Sequence, residues 1–320
     1  MTDPINSPVF PANNDPFGPF IEQLKPQNSL YCFSTLAAPW GLALPAMPGR
    51  LMLHVVMSGD CLITTETSQL ALSAGALVLI PHGKGHSLKS AAHVRDVPFF
   101  DSGVKQLSPN LEVLDIPGSG ETTKLICSVV SFDPLIGHYL LDQLPEVICL
   151  TADDYQDQAW LTSTLELIKR EATDLAAGSE TIITRLAEIM LIQLLRYWLN
   201  NDPLANEGWF AAMRDSRIGA ALKAIHQQPE EKWTVESLAA IACMSRSAFA
   251  ARFTELVGTS AKNYLTEWRL TLAYYQLKSV KVPLIELALN CGYESEAAFS
   301  RAFKRVIGMS PSQVERSTAW

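Results

Sequence analysis

The sequence lacks several features that would define other classes of protein. No stretch of about 18 apolar residues is free of charged side chains, so no membrane span is predicted. The N-terminus begins with an acidic residue, Asp3, and no apolar core follows it, which argues against a secretory signal peptide. The six cysteines form no C-x-x-C pair, and free thiols are typical of a reducing compartment. These absences predict a cytoplasmic protein.

Positive charge is also scarce, and its distribution is uneven. The chain has 25 Lys and Arg against 33 Asp and Glu, a net charge of −8. Residues 1–207 contain 11 of the basic and 23 of the acidic side chains, whereas residues 208–320 contain 14 and 10. An acidic body joined to a basic end is typical of a protein in which only one module contacts phosphates.

A length of 320 residues predicts two domains with connecting helices. The Pro- and Asn-rich residues 1–30 are predicted to form a loose arm. Residues 31–150 contain short apolar runs broken by Gly and Pro, which indicate a β-sandwich or small barrel. Residues 151–200 have helical periodicity and predict a helical hairpin, whose apolar stripes either make a homodimer, the interpretation we favour, or pack on the β-domain. The polar residues 201–217 predict a linker.

The last domain, from about Ile218, contains an internal repeat. A shift of 50 residues aligns Ser245 with Ser295, Phe249 with Phe299, Phe253 with Phe303, Gly258 with Gly308, and Ser260 with Ser310. Leu238-Ala239 aligns with Leu287-Ala288 at a shift of 49. A supersecondary unit that is present twice, with one small insertion, explains these matches.

Each copy is predicted to be a helix, a tight turn and a second helix. The first copy contains Val235–Ile241 and a helix capped by Ser245; the second contains Leu284–Asn290 and a helix that begins near Ser295. The phenylalanines of each second helix are four residues apart, so that helix buries one face and exposes the other. This is a helix-turn-helix, whose second helix enters the major groove of DNA.

Eight residues occupy the predicted free faces of the two recognition helices: Arg246, Ser247, Ala250 and Ala251 in the first, and Glu296, Ala297, Ser300 and Arg301 in the second. Between the two units, Lys262–Lys278 is predicted as one long helix. Such a connector could hold the recognition helices about one DNA turn, ~34 Å, apart on one side of the duplex.

Residues 218–316 resemble the DNA-binding domain of AraC/XylS-type transcription regulators. The stretches that carry the resemblance are Thr234–Ala239, Met244–Phe249, Phe253–Gly258, Trp268–Leu270, Gly292–Lys304 and Gly308–Ser312. The N-terminal part resembles the cupin domain of one branch of this family, through His54–Gly59 and Leu77–His86. The resemblance implies a two-domain α+β protein, with a β-sandwich or cupin-like barrel and helical hairpin before an all-α double helix-turn-helix domain. It also implies duplex DNA and RNA polymerase as partners.

The family's DNA contacts fall on the same exposed faces. Arg301 is the strongest candidate base reader, because a guanidinium pairs bidentately with guanine, and Arg246 contacts a base or a phosphate. Ala250 and Ala251 depart from the longer polar side chains common in the family and offer only methyl groups to thymine. Glu296 either accepts from cytosine N4 or costs affinity near phosphates. The expected phosphate contacts are Lys262, Lys304 and Arg305.

The sequence does not determine the signal that the front domain reads. Enzymatic cupins hold a metal with a His-x-His motif, but Val56 stands where a second histidine would follow His54. His54 and His86 remain candidates for a metal or a small-molecule effector, and Cys61 or Cys127 could complete a metal site or respond to oxidants. The sequence establishes no cofactor.

These features predict a ligand- or redox-responsive transcription regulator. One alternative is a cupin-type metal-dependent enzyme that carries a DNA-binding tail, although the missing His-x-His motif argues against it. A second alternative is a DNA-repair protein that transfers alkyl groups to cysteine. The sequence contains neither a four-cysteine zinc pattern nor a reactive Pro-Cys motif, which argues against that class.

Overall fold

The computed structural model describes residues 27–131, 141, 143–155, 159–174 and 176–317. The chain divides into two compact units, with the boundary between Trp198 and Leu199. Strands lie in the first unit and the second is helical, which confirms the predicted two-domain α+β class. The predicted arm lies outside the described residues, except for positions 27–30, which begin the first strand.

The front unit contains two β-sheets. The larger sheet has the strand order β12-β6-β3-β11-β1-β10-β9, with bounds Ile148–Leu150, Leu77–Ile80, Arg50–Ser58, Thr122–Ser131, Gln27–Ala37, Leu111–Ile116 and Lys105–Ser108. The smaller sheet has the order β5-β4-β7-β2-β8, with bounds Gln69–Leu72, Cys61–Thr64, His86–Lys89, Gly41–Leu44 and Val97–Pro98. Most pairs are antiparallel, but β1 pairs with β10 and β2 with β8 in parallel.

The core of this unit lies between the two sheets. In β4 and β7 buried side chains alternate with half-buried ones, as expected for strands with one covered face. By contrast, β6 is buried at all four positions. The larger sheet therefore has both faces covered at β6, which explains the continuous apolar run Leu77–Ile80.

Two helices form the predicted hairpin, α1 (Ala159–Asp174) and α2 (Ser179–Asn201). Ile183 of α2 packs against Tyr31 and Leu111 on the outer face of the larger sheet. The predicted apolar stripe of α2 divides in the structure. Met190 and Leu194 are buried, whereas Ile182 and Ile189 are 38% and 45% exposed.

The C-terminal unit contains short helices around one longer one. Their bounds are Gly208–Arg214 (α3), Ile218–Gln227 (α4), Val235–Ile241 (α5), Arg246–Val257 (α6), Ala261–Ser279 (α7), Leu284–Asn290 (α8), Glu296–Ile307 (α9) and Pro311–Ser317 (α10). The predicted helix-turn-helix pairs α5–α6 and α8–α9 and the long connector α7 are confirmed. Among the described residues, no helix combines the length and the apolar character that a bilayer crossing requires.

The predicted linker is wrong over part of its length, because α3 lies within it. Trp209, Phe210 and Met213 of α3 are buried, and the helix contacts α4 and α6. The Trp209 Nε1–H donates a 3.2 Å hydrogen bond to the hydroxyl of Tyr264 on the connector. The residues just before α3 are polar and predict a linker, but the short apolar run Trp209–Met213 that follows them belongs to the core. The C-terminal domain thus includes α3 and begins before Ile218.

Replacing Trp209 with Ala should therefore destabilise the C-terminal unit by about 3–5 kcal/mol, the usual cost of removing a buried aromatic side chain. The measurement is urea unfolding of the full chain, followed by circular dichroism. Leu204→Ala is the matched control, because Leu204 lies in the same predicted linker but is 51% exposed. Equal unfolding curves for the two variants would restore the linker interpretation.

Candidate nucleic-acid interface and front-domain cavity

The two recognition helices, α6 and α9, are bounded by the same local devices. The Ser245 hydroxyl accepts a hydrogen bond from the Ala248 amide, and the Ser295 hydroxyl accepts one from the Ala298 amide, both at 3.3 Å. Such N-caps satisfy amides that have no partner within the helix. The C-termini end at Gly258 and Gly308, with φ of 80° and 85°. The repeated Ser and Gly therefore define the ends of both helices.

The turn of each unit contains one residue in the left-handed region. That residue is Cys243 in the first unit, with φ of 51°, and Gly292 in the second, with φ of 84°. These two positions differ by 49, whereas the caps Ser245 and Ser295 differ by 50. The single inserted residue of the second copy is therefore in the short segment between turn and cap, at Tyr293 or Glu294.

Burial of the aromatic face orients each recognition helix. Phe249, Phe253, Phe299 and Phe303 are all fully buried, with ring centroids 5.5 Å apart in α6 and 5.4 Å apart in α9. Of the eight predicted base-reading positions, Ser300 is half-buried and the others are exposed: Arg246, Ser247, Ala250, Ala251, Glu296, Ala297 and Arg301. The predicted phosphate contacts Lys262, Lys304 and Arg305 are exposed as well.

Arg246 has an acidic partner that the sequence interpretation missed. Its Nε lies 3.0 Å from Oε1 of Glu236, on the first helix of the same unit. The two side chains are 71% and 58% exposed, so the pair contributes little to stability. It does neutralise part of the positive charge that Arg246 would offer to DNA. A separation of ten residues across a turn matches no simple helical spacing, so no sequence pattern indicated this pair.

Arg269, on the connector α7, joins the turn of the second helix-turn-helix unit to the loop that precedes the first. Its Nε donates to the Pro229 carbonyl at 2.5 Å and its Nη2 to the Glu231 carbonyl at 2.6 Å, both in the loop after α4. Its Nη1 donates to the Cys291 carbonyl in the turn of the second unit, at 3.4 Å. A Cβ atom at Gly292 would lie 3.1 Å from the same Nη1. One side chain thus holds the second turn to the connector and to the loop before the first unit.

The front unit contains a directed chain of hydrogen bonds. His86 Nδ1 donates to the Lys84 carbonyl at 3.2 Å, because a carbonyl can only accept. His86 Nε2 is then the acceptor for His54 Nε2–H, 2.7 Å away. His54 Nδ1 in turn accepts from the Cys127 thiol, at 3.0 Å. One backbone carbonyl therefore sets the tautomers of both histidines.

Burial keeps all three side chains of this hydrogen-bond chain neutral. It lowers the pKa of His54 well below its usual value, and the neighbouring His86 adds to the effect. Burial also lowers the pKa of His86 and raises the pKa of the Cys127 thiol well above its usual value. The groups are thus two neutral imidazoles and a protonated thiol.

The predicted metal-site residues do not surround a common point. Cys127 and His86 bond to opposite nitrogens of the His54 ring, so the three cannot ligate one ion in this arrangement. Among the residues that the structure describes, no group of three His, Cys, Asp or Glu is placed to hold a metal. Cys61, the other candidate thiol, is buried in the same core on the smaller sheet.

A small apolar cavity lies beside the Cys127–His54 hydrogen bond. Its lining includes Cys32, His54, Phe100, Glu112 and Cys127. Burial raises the pKa of the Glu112 carboxyl, whose Oε2 has no hydrogen-bond partner among the described residues. Sequence reasoning missed Cys32 and Glu112, because their approach to His54 depends on strand order.

Replacing Arg269 with Ala should lower the free energy of unfolding by roughly 1.5–3 kcal/mol, the scale of hydrogen bonds from a charged donor. Lys281→Ala, at an exposed basic residue just after the connector, is the control and should be close to neutral. Differential unfolding in urea measures both variants. An Arg269→Ala protein as stable as the control would mean that the three carbonyl contacts do not stabilise the C-terminal unit.

Comparison with known proteins agrees with both units. Residues 15–200 match the family model described as cupin, and residues 238–317 match a helix-turn-helix domain model. The DNA-binding domain of AdpA, solved in complex with a target DNA, is 31% identical and covers 31% of this chain and 88% of that chain, with a TM-score of 0.29.

Two relatives extend over almost the whole chain. An AraC-like transcription regulator from Streptomyces lividans, itself described as putative, is 32% identical over 304 residues, which is 94% of this chain and 98% of that protein. The regulator AlkR of Acinetobacter baylyi is 30% identical over 315 residues, 95% of this chain and 100% of its own. The chain therefore belongs to the AraC/XylS-type transcription regulators, in the branch with an N-terminal cupin domain.

Proposed function

We propose that this DNA-binding regulator reads sequence through α6 and α9 and changes its DNA binding when its cupin domain receives a signal. The observation that carries the proposal is the burial of one aromatic face on each recognition helix, which presents the opposite face to DNA. The relatives that match most of the chain are named regulators, which supports a non-catalytic role in the cytoplasm, where chromosomal DNA lies.

The two recognition helices are unequal readers in this proposal. Arg301 is exposed and has no ion pair within the described part of the chain, so its guanidinium is free to pair with guanine. Arg246 must first leave Glu236, and Ala250 and Ala251 offer only methyl groups. The Glu296 carboxylate accepts a hydrogen bond from the N4 amino group of cytosine. Most of the base discrimination therefore comes from α9, and α6 adds mainly position and orientation.

The phosphate contacts proposed for Lys262, Lys304 and Arg305 rest on position and charge. Lys262 lies in the first turn of the connector, and Lys304 and Arg305 lie in the last turn of α9. All three are exposed and belong to the basic end of the chain. Such contacts supply affinity that depends on salt and is similar for every DNA sequence.

Two protein partners complete the proposal. A second copy of the chain would cover the partly exposed stripe of α2, made by Ile182, Leu186 and Ile189 at spacings of four and three. RNA polymerase is the partner through which a regulator of this family acts on transcription. We assign the signal to the cavity beside His54 and Cys127, because imidazole, carboxyl and thiol groups line it among the described residues.

Arg301→Ala should weaken binding to a selected DNA site by roughly 1–3 kcal/mol and relax base preference at one position. Lys304→Ala, one helical turn away, is the matched control, since it should weaken all sequences alike and flatten the salt dependence. Fluorescence anisotropy on the selected site and on single-base variants, at several salt concentrations, separates the two effects. A uniform loss for Arg301→Ala would remove it from the base readers.

Ile189→Asp should weaken self-association by at least about 100-fold, because a two-fold interface loses the side chain twice at roughly 1.5–3 kcal/mol each. Leu167→Asp is the control, since Leu167 is a 41%-exposed apolar residue on the other helix of the hairpin. Sedimentation equilibrium measures both. Dimers of unchanged affinity in the Ile189 variant would place the interface elsewhere.

A further inference from the structure

Two free thiols lie opposite each other inside the cupin domain. Cys32 of β1 and Cys127 of β11 are directly paired residues in an antiparallel ladder, so their side chains share one face of the sheet. That face is the inner one, because both residues belong to the buried core between the sheets. Cα atoms of directly opposed residues are about 4.5 or 5.5 Å apart, and a disulfide requires about 4.4–6.8 Å. The two strands therefore place these thiols within the range of backbone separation that a disulfide spans.

The two thiols differ in the base beside them: Cys127 is hydrogen-bonded to a neutral imidazole, whereas Cys32 faces the Glu112 carboxyl, which adds to the burial that raises the pKa of the Cys32 thiol. Cys127 donates to His54 Nδ1, and the chain through His86 to the Lys84 carbonyl keeps that nitrogen unprotonated and aimed at the sulfur. Cys32 has instead the hydroxyl of Ser34, 3.6 Å away. The arrangement assigns different roles to the two thiols. Cys127 reacts with the oxidant and transfers its proton to His54, and Cys32 then attacks the oxidised Cys127 to form the disulfide.

Small molecules can occupy the space next to both sulfurs. Cys32, His54 and Cys127 line the same cavity, whose volume of about 30 Å³ suits a molecule not much larger than water. Phe100, at the edge of this cavity, is 59% exposed. This volume favours an oxidant of the size of hydrogen peroxide over a bulky organic one.

We propose that Cys32 and Cys127 are an oxidisable dithiol, which hydrogen peroxide or an oxidant of similar size converts into a reversible cross-strand disulfide. The Cys127 sulfur attacks one peroxide oxygen while its proton moves to His54 Nδ1, so that no separate thiolate forms in the buried site before the attack. The O–O bond breaks, leaving a sulfenic acid on Cys127, and the departing hydroxide takes the proton back as water. Cys32 then attacks the Cys127 sulfur, the S–O bond breaks, and the Cys32 proton joins the departing hydroxide as a second water. Two thiols lose two electrons, and one peroxide becomes two waters.

The strand that carries Cys32 also contacts the helical hairpin. Tyr31, which precedes Cys32 on β1, points to the opposite face and packs against Ile183 of α2. Ile183 is adjacent to Ile182 of the proposed dimer stripe. A disulfide that shifts β1 against β11 is therefore transmitted to α2. This regulatory consequence rests on the proposed function, whereas the disulfide chemistry does not.

The chain supplies matched control thiols. Cys149 of β12 lies in the same row across the larger sheet, but Val78 and His54 separate it from Cys127 in the register. Cys61 faces the same core from the smaller sheet and is the competing partner for Cys127. Serine variants at Cys149 and Cys61 should thus leave the disulfide intact.

The test treats the full-length protein with graded hydrogen peroxide, blocks free thiols and maps linked peptides by mass spectrometry. The expected result is one Cys32–Cys127 linkage that dithiothreitol reverses, that Cys32→Ala and Cys127→Ala abolish, and that Cys61→Ser and Cys149→Ser retain. A Cys61–Cys127 linkage, or a Cys127 sulfinic acid with no linkage, would overturn the proposal. Because the linkage is first measured on the unchanged sequence, a variant that fails to fold does not remove the test.

The role of His54 has its own readout. Loss of a general base typically slows a reaction by about 10²–10⁴-fold, so His54→Gln should slow disulfide formation by at least about 100-fold without changing which cysteines are linked. The rate is followed by quenching with a thiol-blocking reagent at timed intervals. An unchanged rate in a variant with unchanged thermal stability would remove His54 from the chemistry.

A final experiment measures DNA affinity before and after oxidation, with the Cys32→Ala variant as the unreactive reference. Oxidation should change the wild-type affinity for a selected site by roughly 5–150-fold, the usual range of coupling between two sites, and leave the reference unchanged. A disulfide that forms without changing affinity would refute the regulatory consequence. Disulfide formation in a protein that binds no DNA in either state would instead refute the proposed function.

Discussion

The burial of an aromatic face on each recognition helix is the constraint on which the DNA-binding unit depends. Exposing a buried phenylalanine costs several kcal/mol, so α6 and α9 can each be rotated in only one way about their axes. Phe249 and Phe299 then determine which side chains face outward. The serine caps, the left-handed turns and the Arg269 contacts act on helices whose orientation is already fixed, and they define where each helix begins and how the second turn is held to the connector.

Strand β1 has a comparable two-sided role in the front unit. Its inner face brings Cys32 to the cavity, and its outer face brings Tyr31 to the hairpin. Because alternate residues of a strand point to opposite faces, one short segment connects an interior chemical site with an exterior helix. In a family member whose cupin domain precedes the DNA module, this segment gives a physical route by which an event in the cavity alters a surface.

The parts of the structure that the sequence predicted are those set by local chemistry. Serine caps, glycine ends and phenylalanines four residues apart act within one helix, so their repetition defined both helix-turn-helix units. The Cys127–His54–His86 chain depends on residues 73 and 32 positions apart, and its register follows from strand order, which no local pattern encodes. Arg269 was visible only as part of a family motif, since its acceptors are backbone carbonyls. Trp209 was missed because the polar residues before it resemble a linker.

Joint insertion of α6 and α9 is measured most directly by guanine-methylation interference on a DNA site selected from a random pool. A methyl group at N7 lies in the major groove and reduces binding only at guanines where a recognition helix enters that groove. Insertion of both recognition helices predicts two groups of interfering guanines, centred about one helical turn, or 10–10.5 base pairs, apart on one face of the duplex. A single group, or two groups on opposite faces, would contradict the joint insertion of α6 and α9.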